Sequence, residues 1–248
     1  MTAIYGLIGR KLGHSFSKGY FTEKFHSAHN DAVYENFELK EIADFISLLE
    51  AHPQMRGCNV TIPYKSAIIP YLSSLSPLAE AVGAVNCISI KGNMVMGHNT
   101  DVIGFRDSLA EVYVALPGGK ALILGTGGAA KAVYYALDHF FEFDSILFIS
   151  RNPKMPDQIS YANLATNGLD DVRLIVNTTP LGMHPEVDVM PEIDFGALPQ
   201  DAFVFDLIYN PEETKLLAMA RAHGCLTLNG LDMLMRQAEA SWLIWNQG

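Results

Sequence analysis

The chain has 248 residues, of which 49% are hydrophobic and 18% charged, and carries a formal net charge of -10. That much apolar material fills one large or two modest cores and excludes a disordered chain, while the acidic balance argues against nucleic-acid and anionic-membrane partners. No apolar run approaches the ~18 residues of a membrane helix. No basic stretch leads a signal-like segment. The three cysteines, Cys58, Cys87 and Cys225, are widely spaced, which suits reduced thiols better than a disulfide framework or a zinc site. The expectation is a soluble, cytoplasmic protein that holds no metal.

Residues 3–8 read as a buried strand that enters a loop, Gly9 to Ser17, rich in turn formers and hydroxyls. Tyr20, Phe21, Phe25 and Ala28 then recur at helical spacing. Ser15 and Ser17 therefore sit where a hydroxyl either caps a helix or faces a ligand. A second strand and helix pair spans 33–39 and 41–50. Residues 58–62 predict a strand ending in Asn59-Val60-Thr61-Ile62-Pro63-Tyr64-Lys65. Pro63 suits the first position of a helix, which puts Lys65 in its first turn, where a cation opposes the helix dipole. The alternative is a solvated surface lysine. Two antiparallel strands turning at 91–93 deliver Asn99-Thr100-Asp101, with Asp101 placed to cap the apolar helix that follows.

After a break at Pro117-Gly118-Gly119, the run Ala121-Leu-Ile-Leu124 breaks into Gly125-Thr126-Gly127-Gly128-Ala129 and resumes as a helix. This is the order of a strand turning into a dinucleotide-binding helix, with Gly125 for the tight turn and Gly127 for close approach of a pyrophosphate. The next strand, 145–149, ends in Ser150-Arg151-Asn152 rather than in the carboxylate that would accept from a ribose hydroxyl. A guanidinium there matches a 2′-phosphate, so NADP is favoured over NAD, with Lys154 as a second cation. One short helix at most is expected over 157–170. Strands at 173–177 and 202–206, a helix over 214–223, a short segment at 226–228 and a terminal helix over 231–245 complete the chain.

His14-Ser15-Phe-Ser17, Asn59 to Lys65, Gly83-Ala-Val-Asn86, Asn99-Thr-Asp101-Val-Ile-Gly104-Phe105, the glycine turn, Asn177-Thr178-Thr179-Pro-Leu-Gly-Met183, Asp206-Leu-Ile-Tyr209-Asn-Pro211 and Asn229-Gly230 through Gln237 occur in this order. Together they resemble the shikimate dehydrogenase family over nearly the whole chain. The resemblance implies an α/β protein with an N-terminal α/β substrate domain of residues 1–101 plus 232–248. It also implies a Rossmann-type, doubly wound NADP-binding domain of residues 102–231. The implied reaction is the reversible NADP-dependent reduction of 3-dehydroshikimate to shikimate, in the chorismate pathway to aromatic amino acids, by a monomer or homodimer.

The family pattern assigns the substrate carboxylate to Ser15, Ser17 and Tyr209, the ring hydroxyls to Thr61, Asn86, Asp101 and Gln237, and the catalytic roles to Lys65 and Asp101. The cofactor set is Gly125, Thr126, Gly127, Gly128, Ala129, Arg151, Asn177, Thr178, Thr179 and Gly230. Arg10-Lys11-Leu12 and Lys18 stand where the family often has prolines, and Pro153 and Pro156 interrupt the stretch after Arg151. The rivals are a quinate or dual quinate/shikimate dehydrogenase using NAD or both cofactors, another small-substrate dehydrogenase such as one for an amino-shikimate analogue, and a non-catalytic sensor of a dinucleotide or shikimate-like ligand.

Overall fold

The computed structural model describes residues 2–13, 16–113, 118–166 and 169–246. The chain divides into two compact units, residues 1–100 with 238–248 and residues 101–237.

In the first unit the elements run β1 (Ala3–Gly9), α1 (Phe16–Ser27), β2 (Ala32–Glu38), α2 (Asp44–Ala51), β3 (Met55–Val60), β4 (Ser74–Leu75), α3 (Pro77–Val82), β5 (Cys87–Lys91) and β6 (Met94–His98). They form a mixed six-stranded sheet in the order β2-β1-β3-β5-β6-β4. Strand β1 is parallel to both β2 and β3, and β5 is antiparallel to both β3 and β6. Alternation divides the sheet's side chains between two cores. Ile88 joins Ile8, Phe45, Cys58 and Ile68 on one face, while its neighbour Cys87 joins Phe21, Phe25, Tyr34 and Trp245 on the other. Trp245 comes from the end of the terminal helix; its indole N–H donates to the Ile88 carbonyl at 2.9 Å, and any side chain on Gly57 would collide with its ring.

The helix expected after Pro63 is not formed. Residues 62–68 make turns, followed by a single 3-10 turn over Ile69–Tyr71. The carbonyl of Lys65 accepts instead from the N–H of Val85 at 2.7 Å, so a long-range main-chain bond shapes this segment. The dipole argument for Lys65 lapses with the helix.

The second unit holds α4 (Asp101–Val112), β7 (Lys120–Leu124), α5 (Gly128–Phe140), β8 (Ser145–Ile149), β9 (Gln158–Ile159), α6 (Tyr161–Thr166), β10 (Val172–Asn177), β11 (Phe203–Asp206), α7 (Lys215–Ala222) and β12 (Leu226–Leu228). The boundary with the first unit falls inside α8 (Leu231–Asn246). All six strands are parallel, in the order β12-β11-β10-β7-β8-β9. Ala121 to Leu124 are all fully buried, which is why β7 reads as an unbroken apolar run. From β7 the chain builds outward to β8 and β9, then returns to add β10, β11 and β12 on the other side. The topological switch point, where open parallel sheets bind ligands, therefore lies at the carboxyl end of β7. Among the described residues no helix is long and apolar enough to cross a membrane.

Candidate active-site residues in the two units

In the first unit, Ser15 lies outside the described residues. Ser17 falls inside the first turn of α1 rather than ahead of it, and its hydroxyl is hydrogen-bonded to the buried phenol of Tyr34. Thr61 closes β3's exit, its N–H donating to the Ile8 carbonyl and its carbonyl accepting from Tyr64, both at 2.9 Å. Lys65 is half-buried. The Val85 N–H that bonds its carbonyl precedes Asn86, so Lys65 and Asn86 belong to adjoining segments of one loop region. The Asn86 side chain is buried and clamped at both ends by Thr100: its Nδ2 donates to Thr100 Oγ1 at 2.9 Å, and its Oδ1 accepts the Thr100 N–H at 2.7 Å.

Sequence reasoning did not single out Tyr64. Its phenol donates to the carbonyls of Leu39 and Lys40 at 2.7 and 3.0 Å, and the Arg10 guanidinium lies over its ring, 5.8 Å from the centroid. The single aromatic residue of the Asn59 to Lys65 motif was the available signal. Arg10, one of the departures from the family's prolines, thus rests on the anchor of the segment that carries Lys65.

In the second unit, Gly125 has φ +107, and a Cβ there would lie 2.8 Å from Thr178 Oγ1. Only glycine fits this turn. Gly127 caps α5, and a Cβ on it would meet nothing within 4 Å. Thr126 and Gly127 are exposed, and no acidic residue occupies the first turn of the 13-residue helix. Unopposed N–H groups and a positive dipole end fit the pyrophosphate of a dinucleotide. Past the end of β8, Arg151 is exposed in a loop shaped by the Asn152 N–H donating to Ser150 Oγ and the Lys154 N–H donating to Gln158 Oε1. Asp144 serves the opposite end of that strand, where it accepts the Gly119 N–H at 2.7 Å. A cation with no carboxylate at this strand end fits the 2′-phosphate of NADP.

Asp101 is buried as the first residue of α4. One turn later, a Cβ on Gly104 would meet the Met233 carbonyl at 2.7 Å and Gln237 Cβ at 3.1 Å. This close approach of α4 to α8 sets Gln237 beside the turn that Asp101 opens. Gln237 Nε2 also donates to the Leu234 carbonyl at 2.9 Å.

The predicted turn at Asn177 to Thr179 is organised by a residue given no role in advance. Asp206 is fully buried; its Oδ1 accepts from Asn177 Nδ2 at 2.9 Å and the Ile208 N–H at 3.1 Å, and its Oδ2 accepts from Thr214 at 2.6 Å. Asn177 Oδ1 in turn accepts from the N–H and hydroxyl of Thr179. Burial pushes the Asp206 carboxyl up to about 6, against the opposing pull of its three hydrogen bonds. The same carboxylate thereby shapes the turn leading to half-buried Tyr209. Gly230 donates its N–H to the Ile208 carbonyl at 3.0 Å and approaches Leu207 so closely that any side chain would strike that residue's backbone.

A parallel sheet with a phosphate-fitting turn at its switch point, in a chain whose other unit gathers a lysine and buried amides and hydroxyls, defines a dinucleotide-dependent oxidoreductase acting on a small polar substrate. Residues 7–88 match the family model described as the shikimate dehydrogenase substrate binding domain. The chain is 38% identical to shikimate dehydrogenase (NADP(+)) of Moorella thermoacetica, over 98% of this chain and 88% of that one. Among solved structures it matches shikimate dehydrogenase 1 from Peptoclostridium difficile at a TM-score of 0.87 and 35% identity, covering 98% and 91% of the two chains. It also matches quinate dehydrogenase from Corynebacterium glutamicum in complex with NAD, at a TM-score of 0.84 and 28% identity, over 99% and 94%. The chain belongs to the shikimate dehydrogenase family.

Proposed function

We infer that the protein reduces 3-dehydroshikimate to shikimate with NADPH and catalyses the reverse oxidation with NADP. The carrying observation is Arg151 just past the end of β8, in a Ser150-Arg151-Asn152 stretch that holds no acidic residue, in a family member whose relatives include NADP-named shikimate dehydrogenases. The Gly125 to Ala129 turn holds the pyrophosphate, Arg151 pairs with the 2′-phosphate, and Asn177, Thr178, Thr179 and Gly230 shape the remaining cofactor surface. Bound NADPH supplies the hydride.

The protein's own work is to hold the substrate and move one proton. Ser15, Ser17 and Tyr209 take the carboxylate, while Thr61, Asn86, Asp101 and Gln237 pair with ring oxygens. A site that bonds each hydroxyl strongly rejects an analogue lacking one, because a buried polar group is then left unsatisfied. The Lys65 ammonium donates a proton to the alkoxide oxygen that develops during reduction and recovers it in oxidation. We place this enzyme in the cytoplasm, acting in the chorismate pathway as a monomer or homodimer.

The test follows oxidation of NADPH and of NADH in parallel with 3-dehydroshikimate and 3-dehydroquinate. Turnover concentrated on NADPH with 3-dehydroshikimate is expected; turnover confined to NADH, or to 3-dehydroquinate, overturns the reading in favour of a quinate enzyme, and none at all in favour of a sensor. Lys65→Ala should then lower kcat by about 10²- to 10⁴-fold with a much smaller change in KM. A change confined to KM would remove Lys65 from the proton transfer.

A further inference from the structure

The first unit contains a hydrogen-bonded chain that no assigned role explains. The Tyr34 phenol, bonded by Ser17, donates to Asn59 Oδ1 at 2.9 Å. Asn59 Nδ2 donates to Ser241 Oγ at 2.9 Å and to the Asn86 carbonyl at 3.2 Å. The Ser241 hydroxyl lies 3.3 Å from Thr100 Oγ1, which clamps the Asn86 side chain. All six side chains are buried, and Ser241 and Thr100 are fully so. They come from α1, β2, β3, the residue before β5, the residue before α4 and α8.

We propose that Ser241 is a positioning residue: through Asn59 and Thr100 it locks the side chains of Ser17 and Asn86 in the orientation that receives the substrate. The proposal rests on the assignment of Ser17 and Asn86 to the substrate made above. Its physical basis is the Asn59 amide, which has three partners of different demands. The oxygen must face the phenol's proton and the nitrogen must face two acceptors, so the amide has a single satisfied orientation. Tyr34 reads that orientation on one side, and Ser241 and the Asn86 main chain read it on the other. Without the Ser241 hydroxyl, one Asn59 proton and one Thr100 bond lose their partner in a fully buried place, and the clamp on Asn86 loosens. Ordering those side chains would then fall to the substrate, which weakens binding without touching proton transfer.

Steady-state kinetics of the full-length chain with shikimate and NADP, for the wild type, Ser241→Ala, Tyr34→Phe and the double variant, test this. Ser241→Ala is expected to raise the KM for shikimate about five- to tenfold, with the KM for NADP and kcat within about twofold of wild type. Because Tyr34 and Ser241 act through one amide, the double variant should exceed the larger single change by no more than about twofold, whereas independent effects would multiply. An unchanged KM in Ser241→Ala, multiplicative effects in the double variant, or an equal rise in both KM values with a fall in melting temperature would each overturn the proposal and leave the functional reading standing. A wild type that does not turn over shikimate overturns the functional reading, and this proposal with it.

Discussion

Each unit buries a polar network that ties down its proposed ligand residues, and the two are built from different chemistry. In the first unit every member is neutral: a phenol, two carboxamides and three hydroxyls. In the second the hub is a carboxyl, Asp206, that burial has pushed up to about 6. A neutral network keeps its geometry across the physiological pH range. An ionisable one makes stronger bonds when charged and costs more to bury. The network around Ser17 and Asn86 is therefore insulated from pH, while the turns over Asn177 to Thr179 and Asp206 to Tyr209 are coupled to it.

The contrast breaks hardest at Asp206. Asp206→Ala strands the donors of Asn177, Thr214 and Ile208 together, and is expected to cost about 3–5 kcal/mol in urea denaturation. A loss below about 1 kcal/mol would mean that water or a rearranged Asn177 replaces the carboxylate. The charge itself is isolated by Asp206→Asn. Because burial raises the folded carboxyl from 3.8 to about 6, its contribution to stability is fully present below pH 3.8 and is lost as pH rises through about 6. The stability difference between wild type and Asp206→Asn should fall by about 2 kcal/mol between pH 4 and 7. A flat difference over that window would erase the distinction between the two networks. The smallest effect concerns a residue outside both. Arg151→Ala should raise the KM for NADPH about 10- to 100-fold while leaving that for NADH within about twofold; equal changes for both would assign the arginine to folding rather than to the 2′-phosphate.

Much of the second unit was legible in the sequence because its strands are covered on both faces and short turns carry its polar groups. The runs at β7, β10 and β11 each end in a recognisable loop, and the glycine turn is fixed by local geometry at Gly125. What escaped was tertiary. The helix expected at Lys65 fails because its backbone is held by Val85, twenty residues on, and by the Tyr64 phenol on Leu39 and Lys40. No local spacing announces that competition. Ser241 was equally hidden, since its partners are residues 59 and 100 and a serine in the middle of an amphipathic helix carries no signal of its own. Asp206 stood within a quoted motif, but only the fold reveals that its carboxyl is sealed and what it holds.

The boundary inside α8 has a consequence for how the chain is made. The second unit is one uninterrupted stretch, residues 101–237, whereas the first needs residues 238–248, which carry Ala238 and Trp245 for its core and Ser241 for its polar chain. During synthesis on the ribosome the later unit is therefore completed first, and the earlier one waits with Phe21, Phe25 and Tyr34 uncovered until the final helix emerges. A chain cut just before residue 238 would spare the sheet with the glycine turn and leave the other unit exposed to chaperones and proteases.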